Sequence, residues 1–137
     1  MNAIDTNVFV YRLDRFDPKR RAIARALTRQ LASARDTVLL WQVAGEFQRQ
    51  LSAWRDQKRL SCDQVVRFTR TTRRMFPLVL PTEPVLDRAL DYAVTYTLSH
   101  WDSMIVAACA EVGISTLYTE DMGAPRQIDT VELINPF

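Results

Sequence analysis

Acidic side chains recur at one kind of position in this 137-residue chain, next to the ends of short apolar runs. Asp5 ends the first such run, and Glu120 and Asp121 directly follow a later one. Glu46 comes soon after another run, and Asp102 stands at the start of the most apolar helical pattern. Because clustered carboxylates repel one another unless a cation lies between them, this pattern predicts a metal site. Ligands that are all oxygen atoms favour Mg²⁺ or Mn²⁺ over zinc.

The elements that carry these side chains decide whether they meet. Short apolar runs, at 1–5, 38–40, 78–80, 116–118 and 131–134, alternate with longer segments of helical periodicity. Strands separated by helices form βαβ units, so the pattern predicts an α/β fold with a mainly parallel sheet and helices on both faces. Polar residues at the carboxyl ends of such strands gather in one crevice, where we expect the carboxylates.

Helix starts and buried faces can also be predicted from residue types. Asp17 followed by proline predicts an N-cap, and Ser61 with Gln64 predicts a capping box. Ser99 or Asp102 is expected to cap the apolar segment that follows it. In the helix expected after Thr82, the apolar residues predicted to point inward are Leu86, Leu90, Ala93 and Val94.

Size and composition limit the class of protein. A chain of 15.8 kDa with 47% apolar and 25% charged residues is expected to form one domain over 1–137. No apolar run is long enough to cross a bilayer, and the N-terminus lacks the pattern of a signal peptide. Two cysteines provide no disulfide framework. We therefore expect a cytoplasmic protein without membrane contact.

The net charge of +2 conceals an uneven distribution. Residues 12–74 contain 16 of the 18 Lys and Arg residues against six acids, whereas residues 83–132 contain nine acids and two Arg. A basic half is consistent with an anionic partner such as a phosphate backbone. Since 16 of the 18 basic residues are Arg, the base composition of the genome is an equally good explanation.

The acidic motifs together resemble those of a known family, the PIN-domain nucleases. Four segments carry the resemblance in order along the chain: IDTNV at 4–8, QVAGEF at 42–47, WDSMIVAA at 101–108 and LYTEDM at 117–122. The final INPF at 134–137 is similar to the ends of VapC-type toxins of bacterial toxin-antitoxin systems. Two departures are Trp41, where relatives often have a small hydroxyl residue, and a segment after Asp121 that lacks a common histidine.

The resemblance implies a five-stranded parallel sheet of order 3-2-1-4-5 and Mg²⁺-dependent RNA cleavage, with Mn²⁺ as a substitute. It also implies an endoribonuclease toxin that inhibits translation or growth, a homodimer and a cognate antitoxin. By the same resemblance, the metal ligands and catalytic residues are Asp5, Glu46, Asp102 and Asp121. The supporting residues are Thr6, Asn7, Thr119 and Glu120.

Several alternatives stay open on the sequence alone. Asp5 could be a turn residue at a strand end, Asp102 only a helix cap, and Glu120 the ligand in place of Asp121. A PIN-like RNA-processing nuclease without a toxin role, or an inactive RNA-binding module, has the same fold. A phosphoacceptor receiver domain also has a similar sheet, but it needs a Lys near the last strand, and the last Lys here is Lys58.

Overall fold

The computed structural model describes residues 1–137 and contains six strands and six helices. The strands are β1 (Asn2–Ile4), β2 (Thr37–Leu40), β3 (Leu78–Val79), β4 (Thr116–Tyr118), β5 (Arg126–Ile128) and β6 (Val131–Ile134). The helices are α1 (Thr6–Tyr11), α2 (Pro18–Ala34), α3 (Trp41–Asp56), α4 (Cys62–Met75), α5 (Glu83–Thr95) and α6 (His100–Glu111). None of them is long and apolar enough to cross a membrane.

The strands form one sheet of order β3-β2-β1-β4-β6-β5. All neighbours are parallel except β5, which pairs antiparallel with β6. The predicted order of five parallel strands is therefore confirmed, with β6 as the fifth. The sixth strand, β5, was not predicted, because its three residues include the polar pair Arg126 and Gln127 and lack an apolar run.

Burial on both sides of the sheet explains why its central strands are apolar throughout. Every residue of β2 is buried, as are Ala3 and Ile4 of β1 and Leu117 of β4. Phe9 of α1 packs edge-on to Phe47 of α3, with ring centroids 6.0 Å apart. This contact holds α1 against α3 and so fixes the two segments that follow β1 and β2.

The predicted helix caps are present. The side chain of Asp17 accepts a hydrogen bond from the backbone N–H of Arg20, and Ser61 and Gln64 form both bonds of a capping box. Ser99, rather than Asp102, caps α6. Helix α1 was not predicted, because its six residues are too short to show a helical period.

The predicted buried face of α5 is wrong for three of its four residues, and the fourth, Ala93, is half-buried. The residues of α5 that are buried are Val85, Ala89 and Tyr92, whereas its exposed apolar residues are Leu86 (55% exposed), Leu90 (66%) and Val94 (84%). Helical periodicity groups residues on a face but does not say which face meets the core. The exposed residues Leu86, Leu90 and Val94 are called the α5 stripe below.

Candidate active site

The four predicted ligands line a single cleft of about 330 Å³ at the carboxyl end of the sheet, reached from four different elements. Asp5 directly follows β1, Asp121 lies just beyond β4, Glu46 is in α3 and Asp102 is in the first turn of α6. Parallel strands bring their carboxyl ends to one edge, which explains why residues up to 116 positions apart share this cleft.

Asp5 is the most buried of these carboxylates, with 5% of its surface exposed. It caps α1 by accepting a hydrogen bond from the backbone N–H of Thr6, and its other oxygen accepts one from the hydroxyl of Thr119 at 2.7 Å. Burial raises the pKa of Asp5 to about 6, with smaller upward effects from the charges of Glu46 and Asp121. The hydrogen bonds from Thr119 and Thr6 oppose this increase in pKa.

Thr119 and Asn7 join the ends of β1 and β4. The Thr119 hydroxyl donates to Asp5 and accepts from the backbone N–H of Asp121 at 3.0 Å. The side-chain amide of Asn7 donates to Asp5 at 3.1 Å and to Asp121 at 3.0 Å. Two carboxylates that would repel each other are therefore connected through a shared donor.

Glu46 is held by one hydrogen bond at each of its oxygens. Oε2 accepts from the hydroxyl of Thr6 at 3.0 Å, and Oε1 accepts from the side-chain amide of Gln42 at 2.9 Å. Gln42 also donates to the backbone carbonyl of Trp101 at 3.1 Å. Gln42 is not among the predicted site residues, although its i, i+4 spacing to Glu46 on one helix is a usable signal.

The carboxylate of Asp102 has no hydrogen-bond or ion-pair partner in the structure and faces the cleft. Its backbone N–H is bonded to the Ser99 hydroxyl, which caps α6. Asp102 therefore does not serve as the side-chain cap of this helix, and its carboxylate lies within the favourable field of a helix N-terminus.

Glu120 lies outside the cleft and is bound to two other side chains. It accepts hydrogen bonds from the Tyr11 hydroxyl and from Arg20 Nε at 3.2 Å. The hydrogen bond to Glu120 is the main cause that raises the pKa of Tyr11 to about 12. Because both its oxygens are occupied, Glu120 stabilises the contact between α1, α2 and the end of β4, and Asp121 is the residue that faces the cleft.

The donor set fits a hard divalent cation. The four carboxylates present only oxygen atoms, and the side-chain oxygen of Asn7 is buried without a hydrogen-bond partner. No three Asp, Glu, His or Cys side chains are close enough together to coordinate an ion in the conformation described. Binding would therefore need the carboxylates to lie closer together than they do in this conformation.

Solved structures share this fold along nearly the whole chain. A toxin-antitoxin complex from Klebsiella pneumoniae is 17% identical, with 100% of this chain and 98% of that chain covered and a TM-score of 0.68. VapBC2 from Rickettsia felis, bound to a DNA fragment from its promoter, is 14% identical, with 96% of each chain covered and a TM-score of 0.72.

A third similar structure is VapC20 of Mycobacterium tuberculosis, described as a toxin that cleaves the sarcin-ricin loop. It is 15% identical, with 94% of this chain and 98% of that chain covered and a TM-score of 0.67. At such identities the similarity shows a common fold. No curated protein sequence matches the chain significantly. The sequence profile of the PIN domain matches residues 3–128, and the chain therefore belongs to the PIN domain family.

Proposed function

We propose that this protein is a Mg²⁺-dependent endoribonuclease that acts in the cytoplasm as the toxin of a toxin-antitoxin pair, with Mn²⁺ able to replace Mg²⁺. The single observation that carries the proposal is the convergence of Asp5, Glu46, Asp102 and Asp121 on one cleft of a PIN fold. These carboxylates come from four separate elements, which is difficult to explain by local structure alone.

In this proposal Asp5 and Asp102 are primary metal ligands, and Asp121 is a ligand directly or through water. A bound Mg²⁺ supplies an electrophilic centre that offsets the negative charge developing on the phosphodiester during hydrolysis. Glu46 is a ligand at a second metal position or orients the attacking water. Its hydrogen bonds to Thr6 and Gln42 restrict its carboxylate to one orientation, which reduces the reorganisation needed before reaction.

Two neighbouring arginines are suited to hold the phosphates of the RNA. Arg25 Nε donates to the backbone carbonyl of Arg12 at 3.1 Å, and Arg12 donates to the hydroxyl of Thr72. Neither guanidinium has an acidic partner within ion-pair distance. Burial, together with the charge of Arg25, lowers the pKa of Arg12. An anion beside this pair would offset the repulsion between the two cations.

The proposed antitoxin inhibits the enzyme by placing a basic side chain in the acidic cleft. An Arg or Lys there would offset the repulsion among the carboxylates and exclude the metal. Support comes from the similar structures, two of which are toxin-antitoxin complexes. A complex of this chain with its antitoxin in which the cleft holds no basic side chain would contradict the proposal.

We also propose that the protein is a homodimer that pairs through the α5 stripe. Leu86, Leu90 and Val94 follow one another at i, i+4 spacing and are all more than half exposed. A two-fold axis brings the same surface of both copies together, so a single apolar helix face is sufficient for such an interface.

RNA cleavage by purified protein tests the enzymatic part. Cleavage is expected with Mg²⁺ or Mn²⁺ and is expected to stop in EDTA or in Asp102→Asn. Asp91→Asn is a matched control, because Asp91 is an exposed acid on α5 without a hydrogen-bond partner. Full-rate cleavage in EDTA would exclude the metal mechanism, and RNA binding without cleavage would instead favour an inactive RNA-binding module.

Expression in cells tests the toxin role. Wild-type protein is expected to arrest growth, and Asp5→Ala or Asp102→Asn to relieve the arrest. Sequencing of RNA 5′ ends shortly after induction would identify the cleaved RNA. If the purified protein cleaves RNA but its expression does not impair growth, the protein is an RNA-processing nuclease and the toxin role is refuted.

A further inference from the structure

An apolar groove of about 650 Å³ lies directly beside the acidic cleft. Its floor includes Val79, Val85 and Met104, and its rim includes Trp41 of α3 and Trp101 of α6. These two indoles are 55% and 61% exposed, an unusual position for the largest apolar side chains in a protein. No hydrogen bond within the chain uses either indole N–H, so both donors are available to a ligand.

The groove and the cleft are continuous. Glu46 lines both. The side-chain amide of Gln42 donates hydrogen bonds to the Glu46 carboxylate and to the backbone carbonyl of Trp101. The position of Trp101 is therefore coupled to that of a proposed catalytic carboxylate. A molecule lying in the groove reaches the cleft without a change of the fold.

A free cation borders this apolar surface. Arg49 lines the groove three residues after Glu46 on α3, is exposed, and has no hydrogen-bond or ion-pair partner in the structure. Flat aromatic faces beside an unpaired guanidinium and next to an acidic centre match a chain of planar bases joined by phosphates. An apolar protein segment would leave Arg49 without a counterion.

We infer that the groove binds an unpaired nucleobase of the RNA adjacent to the bond that is cleaved, with Trp41 and Trp101 as stacking surfaces and Arg49 as the contact to a neighbouring phosphate. This inference rests on the proposed function and names the substrate class as RNA that is single-stranded at the cleavage position. Bases in a duplex are stacked on each other and do not expose a face to the indoles.

Tryptophan fluorescence provides a direct test that needs no catalysis. The chain has three tryptophans, of which Trp54 is 5% exposed, so Trp41 and Trp101 are the ones accessible to a ligand. Full-length protein in EDTA is titrated with a short oligoadenylate RNA and with a blunt RNA duplex. Saturable quenching is expected with the single strand and not with the duplex.

Substitutions assign the quenching to the groove. Trp41→Ala and Trp101→Ala are each expected to weaken oligoadenylate binding by about 5- to 150-fold, and Trp41→Phe to retain most of it. Binding by the alanine variants is followed by fluorescence anisotropy of a labelled oligonucleotide. Phe16→Ala is the matched control, because Phe16 is 82% exposed and lies in neither the groove nor the cleft.

Gly45 offers an independent way to block the groove. It lines the groove, and a Cβ added there meets no atom within 4 Å, so a side chain can begin at this position without a clash. Gly45→Leu is expected to weaken oligoadenylate binding while Gly45→Ala does so much less. Unchanged binding in both tryptophan variants and in Gly45→Leu would overturn the inference.

Two further outcomes separate this inference from its alternatives. If Trp41→Ala or Trp101→Ala changes the oligomeric state in sedimentation experiments, the groove is an interface between copies and the inference is wrong. If the single strand binds in the groove but no RNA is cleaved with Mg²⁺, the base-binding site is supported and the proposed nuclease activity is refuted. Cleavage of single-stranded RNA with unchanged KM and kcat in both tryptophan variants would refute the base site alone.

Discussion

Replacing Asp5 by Asn in metal-free protein is expected to change how stability depends on pH. Burial makes the ionised Asp5 unfavourable in the folded state, where its pKa is about 6 against 3.8 for the ordinary carboxyl group. The folded protein therefore binds this proton more tightly than the unfolded chain does. The contribution of Asp5 to the free energy of unfolding is fully present below pH 3.8 and is lost as the pH rises through about 6.

The difference between a pKa of 3.8 and one of about 6 corresponds to a total loss of ~3 kcal/mol of unfolding free energy. About 2 kcal/mol of this loss falls between pH 4 and pH 7, because the carboxyl group of the unfolded chain is already partly ionised at pH 4. Asn has nearly the same shape and cannot ionise, so Asp5→Asn lacks this loss. The variant also alters the hydrogen bonds with Thr6, Asn7 and Thr119. The part of their effect that depends on ionisation is already contained in the Asp5 pKa of about 6, and the rest is the same at each pH. The slope of stability against pH therefore isolates the charge.

Urea denaturation in EDTA at pH values between 4 and 7 measures this slope. Wild type is expected to lose ~2 kcal/mol relative to Asp5→Asn across the interval. Asp91→Asn, which removes an exposed carboxylate of α5, is expected to follow wild type. Parallel profiles for wild type and Asp5→Asn would show that Asp5 titrates as an ordinary carboxyl group, and the reasoning from its burial would then be refuted.

Other residues of the site give further predictions. Gln42→Ala is expected to lower the metal-dependent cleavage rate by about 10- to 100-fold, because Glu46 loses one of its two orienting hydrogen bonds. Steady-state kinetics measures this rate. An unchanged rate would mean that Gln42 does not position Glu46. Glu120→Gln is expected to retain RNA cleavage and to lower the free energy of unfolding by about 1 kcal/mol, because its partners are Tyr11 and Arg20. Asp121→Asn is expected to abolish cleavage. Loss of cleavage in Glu120→Gln with cleavage retained in Asp121→Asn would make Glu120 the ligand. Leu90→Glu places a charge in the α5 stripe and is expected to shift the protein to monomers in analytical ultracentrifugation, and a dimer that persists in this variant would place the interface elsewhere.

Most of the architecture follows from local sequence signals. Alternating apolar runs and helical segments predict a parallel sheet, and the caps at Asp17 and Ser61 are formed by the residues that local hydrogen bonding favours. Because chain direction in βαβ units places all carboxyl ends at one edge, the gathering of Asp5, Asp102 and Asp121 near one another also follows from the order of elements. The roles of these residues in catalysis remain predictions.

Other features have no signal in the neighbouring sequence. Helix α1 and strand β5 are too short for a period, and they form because packing of Phe9 on Phe47 and pairing with β6 stabilise them. Hydrogen bonds between distant residues, such as that from Asn7 to Asp121 across 114 positions, likewise have no signal in the neighbouring sequence.

Local sequence signals predict the order of the longer elements, the caps and the residue types at the strand ends, because these depend on backbone preference and on spacing within a few residues. Tertiary packing turns the α5 stripe outward, pairs Glu120 with Arg20 and Tyr11, and leaves the Asp102 carboxylate without a partner. Each of these depends on which groups approach one another from elements far apart in the chain. Burial and charge pairing arise from that approach, and local periodicity does not predict them.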